Sequence, residues 1–299
     1  MDTFGDHTLG RSGCAVKRLF DRPASNVSPA PYMPMSPLRT HAMRASFAPF
    51  LLLTAFMPLA AGAALTRVEG VAVSPKEGRP LYRETHYLQD VDGRQARLVL
   101  YRCTDGRAFA RKWMPPAADA QAPDFEFIDG RDGRRESVQG QGSKRVVSIR
   151  AGTAAAEQRK TLEMQTGGVI DAGFDAAVRA HWSPLMKGDT VALPFLLTSR
   201  QRWVPVTLRR VAAIDWQGQP AEKLQMQLDA WFGFAVPAVS LVYARDGRRL
   251  LEFEGTGNVR DANGAWPQVR VRFKDPPQAT DDNALAQARA QPLVASCTG

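Results

Sequence analysis

Six Asp-Gly or Asn-Gly pairs punctuate this chain, at 92–93, 105–106, 129–130, 132–133, 246–247 and 263–264. Such pairs accept the positive φ angles of tight hairpin turns, and few other sequences do so cheaply. The segments between them are short and alternate. In EKLQMQLD, Leu224, Met226 and Leu228 share one face and Lys223, Gln225 and Gln227 the other; in PQVRVRFK, Val269, Val271 and Phe273 oppose Arg270, Arg272 and Lys274. Period two with one polar face is the mark of half-buried antiparallel strands.

The same reading places strands near 81–89, 94–103, 107–114, 144–150, 160–165, 191–197, 202–214, 221–229, 239–244, 249–256 and 267–274, about ten in all. One helix interrupts them. In DAGFDAAVRAHWSPLMKGD, Phe174, Val178, Trp182 and Met186 recur at i, i+4, with Asp171 as the expected N-cap and Gly188 as the stop. Pro184 lies inside this pattern and is expected to end or kink the helix near 181–183. A weaker helix is expected over 282–290, and the apolar-poor stretches 115–123 and 129–143 read as surface loops. The fold class implied is mainly β (α+β), a single curved antiparallel sheet or half-barrel of about ten strands packed on one central helix. The helix face of Phe174, Val178 and Trp182 is expected against the concave side.

Ahead of the strands, 47–61 is apolar except for Thr54, but it is only fifteen residues long and carries Pro49 and Pro58. A membrane-spanning helix needs about 20 residues. Arg44 precedes the run and Ala61-Gly62-Ala63 closes it, the order of a secretory signal peptide with cleavage expected after Ala63. Residues 1–42, proline-rich and without apolar periodicity, are expected to be a mis-annotated or disordered extension before a start at Met43. The expected organisation is therefore 1–42 extension, 43–63 signal peptide, 64–280 β-rich domain and 281–299 C-terminal tail with a short helix. No cysteine follows the apolar run, so a lipid anchor is not expected. The mature form has no transmembrane segment and is expected in the periplasm or outside the cell. Cys103 and Cys297 remain in it, and in an oxidising compartment they are expected to pair; two free thiols are the alternative.

The net charge of +9 comes from 31 Arg and 8 Lys against 30 acids; from residue 64 on it falls to 33 bases against 27 acids. Scattered charge of that size in an extracytoplasmic protein does not call for a nucleic-acid partner. Catalytic motifs are absent: no G-x-S-x-G, H-E-x-x-H, phosphate-binding G-x-x-x-x-G-K-[ST] or C-x-x-C. Gly140-Gln141-Gly142 and Gly255-Thr256-Gly257 lack the third glycine of a dinucleotide fingerprint. Only His86 and His181 follow residue 63, too few for a zinc site, so neither metal nor cofactor is expected. His86 shares a strand face with Tyr82 and Glu84, which keeps an envelope hydrolase as a third option. Asp90-Val91-Asp92-Gly93 opens like a calcium loop but lacks its closing Glu and reads as a hairpin. Arg209 and Arg210, and Arg270, Arg272 and Lys274, read as solvated strand faces. Trp182, Phe195, Trp203, Trp231, Phe232 and Phe234 fall within sixty residues. Trp182, Phe195, Trp203, Trp231 and Phe234 are candidate ligand-binding residues in a concave, aromatic-lined pocket, with ordinary core as the alternative.

The segments GGVIDAGFDAAVRAHWSPLMKGDTVALPFLLTSR and VSLVYARDGRRLLEFEGTGNVRDANGAWPQVRVRF resemble a set of uncharacterised secreted proteins of Gram-negative bacteria. The resemblance rests on G-F-D-x-x-V-R-x-x-W at 173–182 and R-R-L-L-x-x-x-G at 248–255, and covers about 168–275. More distantly the layout is similar to the curved half-barrels of periplasmic lipoprotein carriers. It implies a fold and a compartment and no site residues. The expected function is non-enzymatic binding of an apolar or amphipathic envelope component, a lipid or lipoprotein-like ligand, in the concave sheet. A structural or protein-interaction module of the envelope is the alternative.

Overall fold

The computed structural model describes residues 65–228 and 238–297. The expected extension and signal peptide, and the candidates Trp231 and Phe234, lie outside the described residues. The first half holds β1 (Leu65–Val73), β2 (Pro80–Val91), β3 (Arg94–Arg102), β4 (Ala108–Met114), β5 (Phe125–Asp129), β6 (Arg135–Gln141), β7 (Lys144–Arg150) and β8 (Gln158–Glu163). The second holds β9 (Val169–Ile170), β10 (Val191–Leu197), β11 (Arg202–Trp216), β12 (Gln219–Leu228), β13 (Val239–Ala244), β14 (Leu250–Thr256), β15 (Gln268–Arg272) and β16 (Gln278–Ala279). All sixteen form one sheet, in the order β8-β7-β6-β5-β4-β3-β2-β1-β15-β14-β13-β12-β11-β10-β9, with β16 beside β1. Every pairing is antiparallel except β9 with β10.

Hairpin chemistry explains the two meanders. At β2–β3, Asp92 (φ 53°) and Gly93 (φ 74°) turn the chain, and the Gly93 N–H donates to Asp90 Oδ1 at 2.8 Å. Gln217 and Gly218 do the same at β11–β12 with φ of 53° and 86°, a turn without an Asp-Gly or Asn-Gly pair.

Sixteen strands exceed the eleven expected ranges because β1, β5, β6 and the two-residue strands β9 and β16 lie outside them. β6 shows why. Its sequence RESVQGQ turns only Glu136 and Val138 inward, and the first of these is an acid neutralised by Arg134. A strand with one inward apolar side chain reads as a loop. The stretch 115–123 is also more than surface: Ala122 is buried, and the Gln121 carbonyl accepts from the Ile170 N–H at 2.9 Å.

The sheet rolls up. Val147 on β7 and Leu196 on β10 share one apolar core, although the strand order separates them by twelve steps. Laid flat, twelve steps would span roughly 58 Å at about 4.8 Å each. Among the described residues the two ends meet without a backbone ladder between them. Gln201 Nε2 donates to the carbonyls of Val147 (3.1 Å) and Gln158 (3.2 Å), and Trp203 Nε1 donates to that of Glu163 (2.9 Å).

Helix α1 (Phe174–Ala180) and helix α2 (Trp182–Lys187) lie inside the curve, with Val178, Trp182 and Leu185 packed on Leu208, Leu224, Leu241 and Tyr243. The helix breaks at His181 (φ −98°, ψ 17°), so that Pro184 falls in the first turn of α2, where no N–H is needed. Gly188 ends α2 in the left-handed region at φ 95°. The expected cap is corrected: Gly173 stands at the N-cap of α1 with no side-chain bond, because the Asp171 carboxylate is committed to Lys112. Gly173 is required for a steric reason, since a Cβ there would lie 2.0 Å from the Gln121 carbonyl oxygen.

On the convex side, α3 (Asp282–Ala290) starts from Asp281, whose side chain accepts from the Ala284 N–H, and lays Leu285 and Ala288 on Leu98, Leu100 and Ala108. The chain then bonds Val294 N–H to the Ala108 carbonyl and closes the expected disulfide, Cys103 to Cys297, across 194 residues. Cys103 is fully buried. Loop-closure entropy over that span gives an upper figure of about 5 kcal/mol. The bridge joins a tail already docked, so Cys297→Ser is expected to cost about 2–5 kcal/mol in chemical unfolding; an unchanged midpoint would show that docking alone holds the tail.

Candidate functional site

The inside of the curve divides into an apolar and a polar half. The apolar half is a groove between α1 and strands β9 to β12, lined by Val169, Phe174, Ala177, Val178, Leu193, Phe195, Val206, Leu208 and Met226. Strand alternation supplies the lining: Val206 and Leu208 on β11 point inward, as do Leu193 and Phe195 on β10. The void left among them is about 10 Å³, against roughly 300–1,000 Å³ for an ordinary ligand pocket. The expected open, aromatic-lined pocket is therefore corrected: the helix fills it.

The polar half is a network around the helix start. Lys112, with its side chain 5 % exposed, donates to Asp171 Oδ1 at 2.6 Å, and its Nζ lies 5.2 Å from the Phe125 ring centre. Asp175 accepts from Arg179 (2.6 Å), Tyr243 OH (3.1 Å) and Arg97 (3.5 Å). β3 and β13, which carry Arg97 and Tyr243, stand five steps apart in the sheet, so one carboxylate ties both flanks of the curve to the helix. Burial, and then the Asp175 charge, pushes the Tyr243 hydroxyl well above the usual phenol range. Next to this, His86 Nε2 lies 2.8 Å from Glu84 Oε2. Burial first, and the Glu84 charge second, raise Tyr82 and Tyr101 in the same way. His86 and Glu84 have the contact of a base and its orienting acid, yet neither lines the groove or the other described cavity. Among the described residues no group of His, Cys, Asp and Glu could hold a metal ion.

The aromatic candidates separate. Phe195 lines the groove. Trp182 is core, its ring tilted on Tyr243 at 6.1 Å and facing the Arg248 guanidinium. Trp203 belongs to the seam between the sheet ends. Phe174, Leu193 and Met226 also line the groove; the helix pattern places Phe174 on the concave side and the strand pattern places Met226 on an apolar face, while Leu193 falls only within the strand range 191–197.

Three of the five bases on the Arg-rich faces find acids, while Arg209 bonds the neutral Gln225 side chain. On β15, Arg270 meets Glu254 at 2.6 Å and Arg272 meets Glu252 at 3.0 Å. On β11, Arg210 shares Glu222 with Arg245, each at 2.7 Å. Burial pushes Glu222 up, but the two guanidiniums outweigh it and hold the carboxyl below the usual carboxylate range. A depressed folded-state value stabilises above the unfolded value, and this is lost as pH falls through the folded one. Glu222→Gln is thus expected to cost about 1–3 kcal/mol at pH 7, with the thermal midpoints of variant and wild type converging as acidification below the usual carboxylate range protonates Glu222. Asp175→Ala strands the part-buried Arg97 and the buried Tyr243 hydroxyl and is expected to cost about 2–4 kcal/mol by chemical unfolding, with Asp175→Asn milder; an alanine variant as stable as wild type would remove Asp175 as the tie.

No family model matches the chain, and no curated protein matches it. Among solved structures it is similar to a beta-barrel-like protein of domain of unknown function DUF1849 from Brucella abortus, at 12 % identity and a TM-score of 0.45, over 74 % of this chain and 99 % of that one. A likeness at that level assigns neither family nor function.

Proposed function

We propose that the protein is a non-enzymatic binding module of the periplasm or cell exterior that takes the apolar part of an amphipathic envelope component into the groove between α1 and β9–β12. The observation that carries this reading is the lining: nine side chains, all apolar, three of them, Phe174, Phe195 and Met226, only partly buried. A ring and a flexible thioether that can change rotamer are the groups able to open a filled groove to an acyl chain. The disulfide favours an oxidising compartment, and no described helix is long and apolar enough to cross a membrane. An interaction module working through sheet edges is less favoured, because the β8 carbonyls of Gln158 and Glu163 already accept side-chain bonds.

Native mass spectrometry of the protein from its own envelope, with titration by a fluorescent fatty acid, tests the proposal. Wild type is expected to carry or take up one acyl chain saturably, and Phe195→Asp to weaken uptake at least tenfold, since an unpaired carboxylate in an apolar groove costs several kcal/mol. Val71→Asp, at an exposed position, is expected to leave it unchanged. Absence of both a bound acyl mass and saturable uptake in wild type would overturn the reading.

A further inference from the structure

A second cavity lies on the opposite, convex face, where the end of α3 overhangs β3 to β5. It measures about 180 Å³ and is lined by Leu98, Arg111, Trp113, Glu126, Ile128 and Arg289. At about 30 Å³ per water it holds some six waters, room for a small ionic group. Register builds the floor: Leu98, Trp113 and Glu126 are successive cross-strand partners, and Arg111 pairs with Ile128 in the next row.

We propose that this cleft binds an anionic head, a phosphate or carboxylate, held by Arg111 and Arg289 over the Trp113 and Ile128 floor. Both guanidiniums are fixed before any ligand arrives. Arg111 Nη1 donates to the carbonyls of Arg289 and Gln291, which satisfies the end of α3 and leaves its other N–H donors for the cleft. Arg289 lies over the Trp113 ring at 4.2 Å. Neither has an acid within 4.0 Å among the described residues.

The surroundings add positive charge. The row that holds Arg111 and Ile128 continues through Arg135 on β6 and Arg150 on β7, which are directly opposite each other. Like charges in that relation destabilise a sheet, and here no described acid relieves either one. The contrast with β14 and β15, where Arg270 and Arg272 each face a glutamate, is what marks this face as short of anions. A bidentate, charge-assisted partner supplied from outside matches what two fixed guanidiniums present. Glu126, the one acid in the lining, is without a partner among the described residues and opposes such a ligand.

Calorimetric titration of the full chain with inorganic phosphate and, separately, with dihexanoyl phosphatidic acid tests the proposal. Saturable binding of at least one probe is expected, weakened about tenfold by Arg289→Gln and tightened severalfold by Glu126→Gln. Arg289 is exposed and holds no structural ion pair, and thermal midpoints near wild type would show both variants folded. Equal binding of the two probes identifies a free oxyanion as the ligand, and binding of the lipid alone identifies an amphiphile headgroup. Phe195→Asp is expected to leave this binding unchanged, which separates it from the groove. No saturable heat with either probe, or wild-type affinity in both Arg289→Gln and Glu126→Gln, would overturn it.

Discussion

The sheet's two free ends come together at a seam made by the segment 201–203. Three side-chain bonds from Gln201 and Trp203 reach one backbone carbonyl of β7 and two of β8. This is the contact on which the rest depends. A sheet of this many strands either closes, splits or leaves long unpaired edges. Here it rolls until one edge is held by side chains, which satisfy carbonyls without donating a ladder of their own. The edge that would otherwise recruit another chain is occupied by the chain itself.

Rolling creates an inside, and the inside has to be filled. The helix pair does this with an apolar stripe toward β11–β14 and a charged start toward β3 and β4. The ionic side is costly to bury without partners. Lys112 pairs with Asp171 at the helix start, and Asp175 reaches Arg97 on β3 and Tyr243 on β13, so the same charges that require pairing also set where the helix sits. Conformational strain gathers at the same place: Asp171 adopts φ 48°, in the left-handed region, to bring its carboxylate to Lys112.

Period-two strands, the broken helix with its Gly188 stop, the helix at Asp282–Ala290 and the Cys103–Cys297 bridge were legible from residue types and spacing. β6 was not, because an inward glutamate paired with Arg134 looks polar in one dimension and buried in three. The convex cleft was equally hidden. Arg111, Glu126 and Arg289 become neighbours only through strand register and the docking of α3, separations of tens to hundreds of residues that no local pattern records. Proximity in sequence groups Trp182 and Trp203 with Phe195, and the fold parts them: Trp182 goes to the core, which the sequence keeps open as the alternative, and Trp203 to the seam.

By itself the sequence determined the local vocabulary: hairpins from Asp-Gly pairs, alternating strands, one interrupted helix, and two cysteines available for a bridge. Each of these depends on φ preferences and side-chain periodicity within a few residues. Tertiary structure alone decided which arginines found acids and which did not, that the concave face is filled and not open, and that the sheet ends meet. Those outcomes depend on which strand lies opposite which and on how tightly the sheet curls, and both are properties of the whole rolled sheet.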